Sequence, residues 1–306
     1  TTSRSDSEVE GSSLNPQSTV CRDPIAPVFS RDDEPPGNPR MNLPSAPHRP
    51  VSARQCYLAY FVALLLGIGC WSLLEDRSVV VDPFWIGLCV TCTSTVAIWV
   101  FSIANGNSSI YDPYWVIAPP LLALASKALG EGGLLEAWSA RQLCVFACLT
   151  IWAIRYHTLY PWVGWRSGLV HEDWRYENMR SATAPYWLNS LLGMHLFPTL
   201  LVYFAFAPAA LILIAAPSTQ QPLGPLDLLG VVGALTAVAI ELISDEQLRK
   251  FRASEDYAWG VTIRGGLWKY SRHPKYFGEV LFWLSMIPLA IADGHWLDHR
   301  EWVWAG

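Results

Sequence analysis

Residues 56–74 read CYLAYFVALLLGIGCWSLL, without a single charged side chain. A bilayer core about 30 Å thick is crossed by roughly 20 mostly apolar residues of helix, so this stretch predicts a membrane span. Outward from it, six more apolar segments follow at approximately 84–103, 114–129, 141–160, 191–216, 226–243 and 276–293. No apolar/polar alternation runs through them, and helices satisfy every backbone group without a partner chain. The expected fold is all-α, a polytopic transmembrane helical bundle of about six to seven spans. The third segment contains Pro119-Pro120, which predicts a kink or break.

Composition agrees. The 306 residues are 52% hydrophobic and 15% charged, with mean hydropathy +0.23 and 16 Trp. Soluble domains carry about 25% charged residues, so this balance argues against one. Seven Cys are present; Cys89/Cys92 and Cys144/Cys148 sit at helical spacing but without His or carboxylate neighbours, so no metal site is expected.

Residues 1–54 differ in kind, with 9 of the 22 Pro, many Ser and the one aromatic Phe29. They lack the apolar surface that offsets chain entropy and read as a disordered tail ahead of a membrane domain over 55–306. The chain does not begin with Met and shows no leader pattern, so its numbering is expected to start inside a longer product. With the tail in the cytosol, the cytosolic ends receive Arg49, Arg54, Arg166, Arg175, Arg180 and a dense group from Arg249 to Lys275, while Arg77, Lys127 and Arg141 fall opposite. Two copies of one element, Asp82-Pro83-Phe84-Trp85 and Asp112-Pro113-Tyr114-Trp115, read as N-cap followed by N1 of a membrane helix.

Polar chemistry concentrates between Glu241 and Glu279. In ELISDEQLRKFR (241–252), Glu241, Asp245, Arg249 and Arg252 share one helical face, continuing out of the sixth span. A solvated, ion-paired helix end is the plain alternative, but a carboxylate at membrane depth is costly and usually functional. In GGLWKYSRHPKYFGE (265–279) the glycine pair lets the chain turn, and Pro274 starts a helix with Arg272 and His273 before its N-terminus. That arrangement is either an anion site suited to a phosphorylated cofactor or a cationic anchor for lipid headgroups. Arg155 either snorkels to headgroups or touches the cofactor. His195, inside GMHLFP, is expected to be a satisfied core residue, and HEDWRY (171–176) is dense in hydrogen-bonding groups. His295 and His299 are assigned nothing. Gly67-Ile68-Gly69 lies in an apolar span without a preceding strand and is no dinucleotide fingerprint.

The 265–279 segment resembles the GLW-x-x-SRHPNYFGE signature of steroid 5-alpha reductase-like membrane proteins, with Lys275 where Asn is common. SDEQLRKFR is similar to the Asp-x-x-x-x-x-x-Arg helix of that superfamily, and HEDWRY to a loop of its branch of unknown function. The resemblance spans roughly 75–293. It implies NADPH bound from the cytosolic side, with Asp245 and Arg252 lining the pocket. Tyr270, Arg272, His273 and Tyr276 would contact ribose or phosphates, and Glu279 would help close the site. Glu241, Arg249, Arg155, Arg175 and Tyr176 are further candidate contacts. The implied reaction is hydride addition to a carbon–carbon double bond conjugated to a carbonyl, in a hydrophobic small-molecule substrate taken from the lipid bilayer. No early-helix motif aligns with the superfamily's carbonyl-polarising residues, so the catalytic acid is unassigned. The implied location is the endoplasmic reticulum membrane, with the site facing the cytosol; no nucleic-acid partner is expected. Two other readings stand: a membrane methyltransferase using S-adenosylmethionine through the same RHP-x-Y element, and a non-catalytic membrane scaffold.

Overall fold

The computed structural model describes residues 50–75, 83–130, 133–158, 169, 172–182, 185–218, 220–254 and 261–294. The disordered-tail reading of residues 1–49, and the readings of Arg77, Asp82, Arg166, His171, His295 and His299, lie outside the described residues. The described chain is helical apart from turns, loops and one isolated bridge, Val51 to Leu169.

The helices are α1 (Ala53–Glu75), α2 (Pro83–Asn105), α3 (Tyr111–Leu129), α4 (Ala140–Thr158), α5 (Trp174–Ala182), α6 (Tyr186–Asn189), α7 (Phe197–Ile214), α8 (Pro225–Arg252), α9 (Pro274–Leu284) and α10 (Met286–Asp293). A π-helical stretch, Ser190–Leu196, joins α6 to α7, making one apolar rod over Tyr186–Ile214. That rod, α1, α2, α8 and the run Pro274–Asp293 are long and apolar enough to cross a membrane. The other two expected spans are α3 and α4, 19 residues each, whose ends carry Asp112, Lys127, Arg141 and Arg155. At 1.5 Å per residue each reaches about 28 Å. The chain is thus a multi-pass helical bundle. Two local expectations need correction. The α3 helix runs through Pro119-Pro120 unbroken, and Asp112 lies within its first turn rather than at the N-cap, which is Ile110.

Successive long helices alternate in direction, as contacts at their ends require. At one end Gln55 of α1 donates to Asn105 of α2 at 2.7 Å, and the Asp173 N–H donates to Ser109 Oγ at 2.9 Å. At the other, the Gln142 side-chain amide donates to the carbonyls of Ile212, Leu213 and Ala215. There too the buried Arg141 guanidinium grips both Asp227 oxygens at 2.6 and 2.9 Å, the Gln221 carbonyl at 3.0 Å and Asp293 at 3.4 Å. This clamp ties the starts of α4 and α8 to the end of α10, and its fixed fork suits bidentate pairing.

The main core joins α3, α4, α7, α8, α9 and α10 around Trp152, Phe206, Phe282, Met286 and Leu289. A smaller core joins α1 and α2 to the start of α3 through Cys56, Ile98, Ile110 and Tyr111. Large apolar side chains such as Leu58, Phe61, Leu65 and Ile68 face outward, as lipid contact demands.

Candidate functional site

The Glu241–Arg252 and Gly265–Glu279 motifs meet at the end of the bundle that also holds residues 105–111 and 172–186. Three contacts fold the second motif onto α8. Gly266, at φ +59°, lies against the Gln247 side chain, whose Oε1 accepts the Leu267 N–H at 2.9 Å. The indole of Trp268 donates to the Ser244 carbonyl at 3.1 Å. Pro274 then opens α9 at N1, with His273 as N-cap and no side-chain cap bond. Gly278 carries α9 over Glu241: a Cβ there would sit 2.5 Å from Glu241 Cγ and 3.0 Å from the Ala237 carbonyl.

The crossing creates a buried charge cluster. Arg155, on α4, forms a close ion pair with Glu241 and lies 3.6 Å from Asp245 Oδ2. Lys275 Nζ is 3.3 Å from the same Asp245 oxygen and 5.7 Å from the Tyr156 ring. Glu279 accepts the indole N–H of Trp152 at 3.2 Å and of Trp283 at 2.8 Å. Arg155 and Glu241 are 3% and 0% exposed. Arg155 Nη2 and Glu241 Oε2 meet as an ion pair without hydrogen-bond alignment, and Arg155 Nε and Glu241 Oε1 have no hydrogen-bond partner among the described residues. Charge attraction without aligned hydrogen bonds leaves such a pair short of what its burial costs. The snorkelling alternative for Arg155 is not what forms; its head group points inward.

Of the twelve candidate residues, the structure thus brings together Arg155, Glu241, Asp245 and Glu279, with Arg252 half-buried and within electrostatic reach of Asp245. Tyr270, Arg272, His273 and Tyr276 are exposed around the α9 N-terminus, with the His273 and Tyr276 rings stacked at 5.2 Å. Arg249 faces outward and pairs with Glu246 at 2.7 Å.

Arg175 and Tyr176 belong to a neighbouring network. The Tyr176 hydroxyl donates to Asp112, and Arg175 pairs with Asp173 at 2.8 Å. Burial, reinforced by Asp112, pushes the Tyr176 hydroxyl well above the usual phenol range. The hydrogen bond to Asp173 raises Arg175 further. Beside them the buried Glu172 takes Arg180 at 2.9 Å and the Ser108 N–H at 2.6 Å, while the Arg180 head group lies over the Tyr186 and Trp187 rings. His195 is the satisfied core residue expected, its ring nitrogens facing the Ser190 carbonyl at 2.9 Å and Ser102 Oγ at 3.3 Å. Among the described residues no group of His, Cys, Asp and Glu is arranged for a metal ion.

The residues missed in the sequence are Lys275, Trp152 and Trp283. Lys275 was read as part of the cationic group and as a replacement for Asn, not as a partner of the α8 carboxylates, beside which its position just after Pro274 sets it. The indoles sit three residues before Arg155 and four after Glu279, spacings that put each on the face of its charged neighbour.

The family model described as "Protein of unknown function (DUF1295)" matches residues 98–305, more than half of the chain and all of this site. The chain belongs to that family. It is also similar to the uncharacterized protein C594.04c of Schizosaccharomyces pombe, 26% identical over 248 residues, covering 74% of this chain and 70% of that protein. No solved structure matches. Both polar networks and the Arg141 clamp lie within the family segment.

Proposed function

We propose that this member of the family is a membrane oxidoreductase of the steroid 5-alpha reductase-like kind. It uses NADPH to reduce a carbon–carbon double bond conjugated to a carbonyl in a lipid-like substrate. The observation that carries the reading is the 3.3 Å contact of Lys275 with Asp245, which joins the two motifs that the resemblance assigns to one cofactor.

The residues present fit such a group. Arg272, His273 and Lys269 crowd the exposed start of α9, and among the described residues neither Arg272 nor Lys269 has a carboxylate partner. Backbone N–H groups of the first turn, left without a side-chain cap, add to an anion-binding surface. Arg272, His273 and Tyr270 would hold phosphates and ribose, and Asp245 with Arg252 would face the cofactor further in. When bound, the nicotinamide supplies hydride to the double bond. The protein's own work is to orient the substrate, exclude water and stabilise charge developing on the carbonyl oxygen. The apolar outer faces of the helices admit a hydrophobic substrate from the bilayer. On this reading the site opens to the cytosol from the endoplasmic reticulum membrane.

Thermal unfolding of the purified chain in detergent tests the proposal. NADPH is expected to raise the melting temperature of the wild type and not of Arg272→Ala, since a ligand stabilises only the form that binds it. No shift with NADPH, alongside a shift with S-adenosylmethionine, would refute the reductase in favour of a methyltransferase.

A further inference from the structure

We infer that the bundle holds one acyl chain of a membrane phospholipid in a cleft between α1, α2, α3 and α7, at the Arg141 end. The inference does not depend on the reductase reading, whose cofactor motifs lie at the other end. The cleft takes in about 400 Å³, its open mouth included. Its walls are Trp71 on α1, the start of α2 as far as Val90, α3 from Leu122 to Leu129, and α7 from Tyr203 to Ile214. All four stretches lie on the side of the bundle where Gln142 holds the carbonyls of Ile212 and Leu213.

The cleft follows from how α1 is attached. Ala59 and Ala63 are buried in the smaller core, and Ser94 Oγ of α2 donates to the Ala63 carbonyl at 3.0 Å. One turn on, Gly67 lies against Ser94 and Val90. Beyond Gly67 none of the described α1 residues is buried. The facing stretches of α3 and α7 meanwhile join the main core through Leu122, Phe206 and Ala210. The last turns of α1 therefore stand apart from α3 and α7, and the seam between the two cores widens into the cleft.

Chemistry and depth select the occupant. The walls are carbon apart from the Trp71 indole and the hydroxyls of Ser126 and Tyr203. The Tyr203 hydroxyl is spent on the Phe84 carbonyl, and Gly87 makes room for it: a Cβ there would lie 2.6 Å from that oxygen. Water held inside a protein needs several polar partners, and these walls offer few. The α7 wall from Tyr203 to Ile214 rises about 16 Å, so the cleft is long and runs with the helices. Its mouth is continuous with the lipid-facing surface, where Leu73 and Trp85 are 70% and 54% exposed. The surrounding medium at this depth is hydrocarbon. An extended chain laid in the cleft regains the dispersion contacts that bare walls forgo. Its headgroup would rest at the interface beyond Pro83 and Leu129.

Phosphatidylcholine brominated on its acyl chains, titrated into the full chain in detergent, reads the site by tryptophan quenching. Wild type is expected to show a saturable component that Trp71→Phe loses, because Trp71 lines the cleft. Ala125→Phe and Ser126→Leu, two independent ways of filling the cleft from α3, are expected to lose it with Trp71 still present. Leu65→Phe, on the exposed side of α1, should keep it. Plain phosphatidylcholine should displace the brominated lipid, and should raise the melting temperature of wild type but not of Ala125→Phe. Quenching that never saturates, or that is equal in wild type, Trp71→Phe and a folded filling variant, overturns the site. Displacement by cholesterol hemisuccinate and not by phosphatidylcholine overturns the acyl chain as its occupant.

Discussion

Gly278→Ala probes the crossing on which the site depends. The new Cβ would lie 2.5 Å from Glu241 Cγ and 3.0 Å from the Ala237 carbonyl oxygen, where ordinary contacts begin near 3.4 Å. Glu241 is held by Arg155 and the Ala237 carbonyl is backbone, so the contact is relieved by α9 moving off α8. Forcing a methyl into a filled interior costs about 1–3 kcal/mol. Gly69→Ala is the matched control: it is also inside a helix, but nothing lies within 4 Å of its added Cβ. Both substitutions gain the same helix propensity, about 1 kcal/mol, so their difference isolates the steric cost. For a chain of this size 1 kcal/mol moves the midpoint by about 2–4 °C, which separates the two variants by about 2–12 °C. Thermal unfolding in detergent, followed by tryptophan fluorescence, measures it. The same displacement draws Lys275 from Asp245, so Gly278→Ala should also show a reduced NADPH shift. Equal midpoints for the two variants would refute the close α8–α9 crossing.

Arg141→Met is expected to destabilise the bundle by about 3–5 kcal/mol, because Asp227 and Asp293 are left buried without their cation. Arg141→Lys should restore only part of this, a single ammonium replacing a fork that serves two carboxylates and two carbonyls; denaturation of both variants in detergent decides. Tyr176→Phe should cost about 1–3 kcal/mol, because Asp112 loses a hydrogen-bond donor while buried. Because the folded protein raises the Tyr176 hydroxyl above its unfolded value of about 10, the native state holds that proton more tightly. Its contribution is complete below pH 10 and lost as pH rises beyond it. A wild-type melting midpoint that falls above pH 10 more steeply than that of Tyr176→Phe is the expected result.

The bundle was legible in the sequence because a bilayer-spanning helix declares itself by length and apolarity alone. Residues 56–74 needed no partner to be read, and α1 forms there. The failures were local. Pro119-Pro120 predicted a kink or break because proline removes a backbone donor, but α3 continues through both prolines as one helix packed among its neighbours. Asp112 looked like a cap from its Asp-Pro neighbours, yet a short 3-10 turn at Ser108–Ile110 starts the helix earlier and turns the carboxylate toward Tyr176. The site was half legible. Spacing placed Glu241 and Asp245 on one face, but no spacing rule says which distant helix supplies their cation. Arg155 lies 86 residues before Glu241, and only the packing of α4 against α8 makes it a partner.

Two buried clusters of charge sit at opposite ends of this bundle, and their difference separates structure from chemistry. Around Arg141, one cation meets two carboxylates and two backbone carbonyls, every donor is used, and the Gly224 N–H completes Asp227 at 2.8 Å. Such a group has nothing left to offer a ligand, and its place at three helix ends makes it a clamp. Around Arg155, one helix crosses another through a glycine, and the closest ion pair, Arg155 with Glu241, lacks aligned hydrogen bonds. A packed bundle could fill that volume with leucine at lower cost. That contrast, rather than the number of charges, supports the proposed site at the α4–α8–α9 end and a clamp at the other.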